Sequence, residues 1–271
     1  MTISTFNNVI NSMANKSKQV PFDFASGTTV AGYQYLLNRL ISASTVGQQA
    51  IPTAYGSGGS SFDDTSLGYP TLPTPGVDEK LYLSLLTAVC TSIGNLQLLD
   101  HHWGCSGFSG IVTTAQTVVG APTTTPRNTT GEGNLIFLTC YTATGSTAVT
   151  ATITYVNESG VAGRTATVSI PASNPAGRVL QAKLQNGDFG VRSITSVILS
   201  ATTGTAGNFG LSIMQPISSP IPMGTANLTT SFNFLHTGIP DINTDAAIAF
   251  ILTASTTSSG ILKGTLNLSR G

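Results

Sequence analysis

Charge is what this chain has least of. Only 8% of its 271 residues are Asp, Glu, Lys or Arg, against roughly a quarter in an ordinary soluble domain. Eleven basic and eleven acidic residues cancel to a net charge of zero. The basic ones are scattered singly from Lys16 to Arg270, so there is no basic stripe to follow a phosphate backbone, and direct nucleic-acid binding is not expected. A thin, neutral charge layer protects poorly against self-association, which favours a chain that works inside an assembly. Long apolar runs are missing too. The longest, Ala246 to Ala254, falls far short of the roughly 18–20 residues that span a bilayer, so no membrane partner is expected. Residues 1–20 carry no apolar h-region and no small-residue cleavage site, which predicts synthesis and retention in a cytoplasm. The Asn-x-Ser/Thr matches, Asn128 and Asn227 among them, are then incidental. The three cysteines, Cys90, Cys105 and Cys140, are odd in number and lack zinc spacing. That argues against a disulfide framework and a metal knuckle, and predicts buried free thiols.

What remains is a chain of 27.8 kDa, 40% hydrophobic, with Thr, Ser, Asn, Gln and Gly as its polar surface and enough length for a large core. Ile3, Phe6, Ile10 and Met13 recur at helical spacing behind Thr2 or Ser4 as caps, which predicts a short amphipathic helix. Val30, Tyr33, Leu37, Leu40 and Ile41 fit a second helix less well, and the Tyr-Gln-Tyr-Leu-Leu run inside them also reads as a strand. From Ser42 to Val77 the sequence turns to Gly, Ser, Thr and Pro, including Gly56 to Ser61 and Pro70, Pro73 and Pro75. Such a stretch sustains neither a helix nor a sheet interior. Its length predicts an arm that packs on a neighbour.

After Lys80 the pattern is all β. Val149, Ala151, Ile153 and Tyr155 alternate with Thr150, Thr152 and Thr154; after the turn Asn157 to Gly160, Ala166, Val168 and Ile170 alternate with Thr165, Thr167 and Ser169. This is a hairpin with one apolar and one hydroxyl face. A weak echo of apolar run, Gly and second apolar run recurs around Gly94, Gly145, Gly204 and Gly260, roughly fifty to sixty residues apart, but without the per-blade signature of a propeller. The expected fold is mainly β: a jelly-roll-type β-sandwich over residues 78–271. An N-terminal arm over 1–77 would contain one or two short helices.

Reactive residues cluster once, as Asp100, His101, His102, Trp103 and Cys105 at a strand end. A zinc site needs three or four convergent ligands, and His236 is the only other histidine, so a strand end anchored by Trp103 is the expected reading. Asp241, Asn243 and Asp245 begin like a calcium loop, but Ala246 replaces the sharp-turn Gly and Leu252 the bidentate Glu. A turn capped by Asp and Asn is expected there, with a weak cation site left open. Gly131-Glu132-Gly133 lacks the third Gly of a phosphate cradle and precedes a strand. Gly107-Phe108-Ser109-Gly110 lacks the spacing of a nucleophile elbow. Asp63/Asp64 and Asp78/Glu79 are read as solvated acids. One Trp and 7% aromatics make a meagre sugar platform. No catalytic, cofactor-binding or metal-binding residue is assigned, and no cofactor is expected.

Several stretches resemble a group of tailed-bacteriophage virion structural proteins: Leu81-Tyr82-Leu83, Trp103 to Val118, Tyr141 to Val149, Ala162 to Thr165, Gly187 to Ser193, and Thr203 to Gly210. The resemblance implies a virion location and a non-enzymatic role, most specifically as a head cement or decoration protein. Its implied partners are the major capsid protein or other virion proteins, together with copies of itself. A tail, collar or fibre component, or a receptor- or carbohydrate-binding module, is the alternative.

Overall fold

Period-two alternation of apolar side chains places most elements of the computed structural model, which describes residues 5–25, 28–40, 49–50, 59–66, 68–204, 207–233 and 241–271. The fold is mainly β, as expected, with several antiparallel sheets and one N-terminal helix. The helix, α1 (Phe6–Asn15), is capped by Thr5, whose Oγ1 accepts from the Asn8 amide at 3.2 Å. The expected caps Thr2 and Ser4, like Ile3, lie outside the described residues. The buried face of α1 carries Val9 and Ser12, and Ile10 is exposed, contrary to the expected stripe. Ser12 is inside because its Oγ donates to the Arg270 carbonyl at 2.6 Å.

One sheet orders β1 (Ser17–Ala25), β19 (Ile261–Arg270), β6 (Leu81–Cys90) and β16 (Thr229–Asn233), with β17 (Asp241–Ile242) also on β6. A second orders β11 (Arg164–Ile170), β10 (Val149–Asn157), β13 (Val191–Leu199) and β8 (Gln116–Thr117). Between them six strands pair into a closed ring: β7 (Gly94–Ser109), β14 (Asn208–Pro216), β9 (Leu135–Cys140), β12 (Arg178–Gln181), β2 (Gln34–Leu36) and β18 (Ile248–Ala254), which returns to β7. β5 (Ser60–Ser61) and β15 (Ile221–Met223) also pair with β7, and β3 (Arg39–Leu40) pairs in parallel with β4 (Gln49–Ala50). The Tyr-Gln-Tyr-Leu-Leu run is thus a strand, because Leu36 points one way while Tyr35 and Leu37 point the other.

Each ring strand turns at least one side chain into a shared interior: Leu99, Met214, Phe137, Val179, Leu36, and Ala249 with Ile251. Both flanking sheets pack on the outside of the ring. The first covers Tyr35, Leu96, Leu98, Phe250 and Leu252; the second covers Trp103, Cys105, Ile136, Leu138, Phe209 and Leu211. Sandwich layering is therefore present twice. β7 serves both halves because its register slips where Met214 pairs with His101 and Ile213 with Trp103. The extra residue, His102, reverses the alternation, so Trp103 and Cys105 continue the outward face begun by Leu96 and Leu98. The four sequence echoes are four of the crossings between ring and flanking sheets: β6 to β7, β9 to β10, β13 to β14, and β18 to β19.

The expected arm over 1–77 is corrected for the described residues. β1 pairs with β19 along nine residues, and Val20, Phe22 and Phe24 enter the core beside Leu72. Pro21 is tolerated there because β1 is an edge strand. Residues 59–66 and 68–72 also pack on their own chain, closing the ring with Phe62 and Tyr69. The composition of this stretch excluded regular structure, but its spaced aromatics still found apolar partners. Residue 77 therefore does not separate an arm from the β unit.

Candidate functional site

The cluster expected at a strand end lies instead inside β7, at its bulge, because the strand continues to Ser109, and it is buried. Asp100 is 3% exposed and His101, His102 and Cys105 are fully buried. Asp100 accepts from Arg127 Nε at 2.8 Å and from a terminal guanidinium nitrogen at 2.6 Å, and from the Ala247 amide at 3.1 Å. Arg127 also donates to the carbonyls of Phe62 at 2.6 Å and His101 at 3.1 Å. Tyr69 Oη and His101 Nδ1 share a hydrogen bond of 2.6 Å, and the Phe62 ring lies 4.3 Å from the imidazole. His102 Nε2 meets Gln215 Oε1 at 3.4 Å, while its Nδ1 has no hydrogen-bond partner and lies 3.8 Å from Asp100 Oδ2. Burial pushes the His102 pKa down, against the pull of the Asp100 charge. A polar cleft of about 210 Å³ opens beside the cluster, lined by Asp100, Gln215 and Asn243 among others.

This arrangement joins residues 59–66 and 68–72 to the ring. Among the described residues no three His, Cys, Asp or Glu side chains converge as metal ligands, and His236 lies outside them. The Asp241 carboxylate pairs with Lys80, and the Ala246 amide donates to the Asn243 carbonyl in a turn. Asp245 contributes its backbone carbonyl to the Asp64 amide. Asp64, read from sequence as solvated, is buried and accepts from the Leu72 amide at 2.8 Å. Glu79 pairs with Lys16. The three cysteines are buried and unbridged, and burial pushes Cys140 up to about 11. Sequence reading missed Arg127, although a signal was present: it is the one charged side chain between Asp100 and Glu132, histidines aside.

A second network closes the far end of the β10–β11 hairpin. Asp188 accepts from Arg164 Nε and from a terminal guanidinium nitrogen, both at 2.8 Å, from Tyr155 Oη at 2.6 Å and from Asn157 Nδ2 at 2.9 Å. The Arg164 bonds, with smaller help from Tyr155 and Asn157, hold Asp188 down at about 2. Burial and the bond to Asp188 push Tyr155 up to about 12. A carboxylate with a depressed folded-state pKa contributes stability above its ordinary value, and that contribution is lost as pH falls through about 4 toward about 2. Asp188→Asn should therefore be less stable than the parent at pH 6, with the gap narrowing as pH drops below about 4. Urea unfolding across that range checks it; a gap independent of pH would contradict the assignment.

The outward face of the second sheet is clad in hydroxyls. The register aligns Thr150 with Ser169, Thr152 with Thr167 and Thr154 with Thr165, while Ser196 pairs with Thr117 across the next ladder. Their apolar neighbours, Ala151, Ile153, Ala166 and Val168, are buried on the other face. Ile198, aligned with Thr152, adds an exposed apolar side chain. A hydroxyl both donates and accepts, so this face can meet a polar surface without placing an ion in the contact.

No protein-family model and no curated protein matches the chain. Among solved structures, a particle of infectious bursal disease virus, its VP2 subviral particle, is 13% identical over 94% of this chain and 60% of that one, with a TM-score of 0.20. The virus's Gt strain structure gives 12%, 94%, 66% and 0.17, and its derived T=1 particles give 14%, 94%, 64% and 0.11. The chain spans less than two thirds of the length of these chains. At such TM-scores the likeness carries no argument about fold or role.

Proposed function

We propose that this chain is a non-enzymatic structural protein of a virion, in the finer reading a cement or decoration protein on the head of a tailed phage. The observation that carries the proposal is the Thr/Ser face of the second sheet, whose ladder of hydroxyls has one lysine, Lys183, beside Thr167 at its edge, displayed by a chain with few ions elsewhere. Neutral hydrogen bonds contribute only about 0.5–1.5 kcal/mol each, but they avoid the several kcal/mol that desolvating buried ions costs. A broad contact of this kind accumulates affinity without charge. The resemblance of the stretches from Leu81 to Gly210 to phage virion proteins supports the same reading. Trp103, the single tryptophan, is buried at 2% exposure and supplies no platform for a sugar.

Cryo-EM of virions carrying the protein tests this. Hundreds of icosahedrally placed copies are expected, whereas a handful at one vertex would make it a tail or collar component. Absence from the particle, with turnover of a substrate by the isolated chain, would defeat the proposal. Because screening acts on charges, occupancy should hold as NaCl rises from about 0.1 M to about 1 M. Release by moderate salt would show that ions hold the contact.

A further inference from the structure

The network around Asp100 contains a competition that the structural role does not require. Asp100 is held by Arg127, and Arg127 in turn holds the Phe62 carbonyl, so the guanidinium is one of the ties, with the pairing of Ser60 and Ser61 and the bond of Tyr69 to His101, between residues 59–66 and 68–72 and β7. His102 Nδ1 stands 3.8 Å from the same carboxylate with no hydrogen-bond partner. We propose that Asp100, Arg127 and His102 form an acid-operated latch, in which protonated His102 takes Asp100 from Arg127 and loosens residues 59–66 and 68–72 at the mouth of the ring.

The charges around His102 favour this outcome. Asp100 faces it from its own strand, Arg127 from the loop before β9 and Asp245 from the turn before β18, while Gln215 on β14 is its neutral partner. Tyr69, on the segment itself, engages the neighbouring His101. A proton on His102 places a second cation beside Arg127 in a site with one adjacent carboxylate. In a low-dielectric interior, two cations sharing one carboxylate repel. Arg127 is the one that can leave, because its loop lies between strands, whereas His102 is fixed in β7. As Arg127 withdraws, the Phe62 carbonyl loses this donor. The proton has a route: Nε2 donates to the Gln215 oxygen, so Nδ1 is the nitrogen that takes the proton, and Asp100, 3.8 Å from it, lines the polar cleft.

The chain carries its own reporter. Trp103 is the only tryptophan, pairs in register with Ser61, and lies so near Gly59 that a Cβ there would fall 2.3 Å from the indole. Lifting the segment uncovers it. The intact protein is titrated from pH 7.5 to pH 5, with tryptophan emission and far-UV circular dichroism followed together. The expected result is a shift of emission to longer wavelength, with its midpoint below the ordinary histidine value of about 6.5, while the dichroism stays constant. His102→Gln should abolish the shift. Gln215→Glu, which sets a carboxylate against Nε2, should raise the midpoint by about one pH unit. The latch is overturned if the emission does not move, if the dichroism is lost at the same midpoint, or if His102→Gln keeps the transition. Should His102→Gln fail to fold, an unmoved midpoint in Gln215→Glu overturns it alone.

Discussion

Arg127→Ala should destabilise the protein by about 3–5 kcal/mol, the usual cost of leaving a buried charge without its partner. The side chains of Arg127 and Asp100 are only 6% and 4% exposed, so solvent cannot replace the lost guanidinium. Two further bonds raise the cost, because the carbonyls of Phe62 and His101 each lose a donor. Urea unfolding at pH 7 measures the loss. Adding Asp100→Asn should restore part of it, because a neutral amide leaves no stranded charge while its oxygen still accepts from the Ala247 amide. Coupling between the two sites above about 1 kcal/mol is expected for groups in direct contact. Additive effects would mean that the pair contributes no more than two independent surface residues.

Arg127 also shows where sequence reading stopped. The hairpin of β10 and β11 was legible in full, because strict alternation of Thr with Val, Ala and Ile fixes both its faces and its register. The crossings between layers were visible as echoes around Gly94, Gly145, Gly204 and Gly260, but not their meaning. Period and spacing say that a strand exists, not which layer receives it. Ring closure was hidden for the same reason. It depends on the bulge at His102, a one-residue slip that shows up as a misplaced polar residue rather than as a pattern. Phe22 and Phe24 fall within the expected arm over 1–77, and only the partner strand β19 shows what their alternation with Pro21 and Asp23 is for. The candidate cluster at Asp100 was found from residue type. What it does, holding Phe62 and Tyr69 across the ring through Arg127, needed contacts between residues 27 to 65 positions apart, which no local window contains.

Phe250→Ala should cost about 3–5 kcal/mol, the range for emptying a buried aromatic site. Phe250 is fully buried on β18, with its ring 4.6 Å from that of Phe22 and 5.1 Å from that of Phe24. It therefore joins the ring to the edge strand β1, and aromatic contacts of this kind add about 0.5–1.5 kcal/mol beyond area. A control on the hydroxyl face, the exposed Thr167→Ala, should stay within about 0.5 kcal/mol of the parent, as exposed substitutions do. Because the wall of the ring separates the two outer cores, Phe250→Ala and Ile153→Val should add to within about 0.3–0.5 kcal/mol. Phe250→Ala with Phe22→Leu should not, since those two rings touch. Denaturant unfolding of the single and paired variants provides the measurement. If Phe250 and Ile153 proved strongly coupled while Phe250 and Phe22 did not, the layers described here would be drawn in the wrong place, because energetic coupling follows physical contact and the closed ring leaves these two cores no side chain in common.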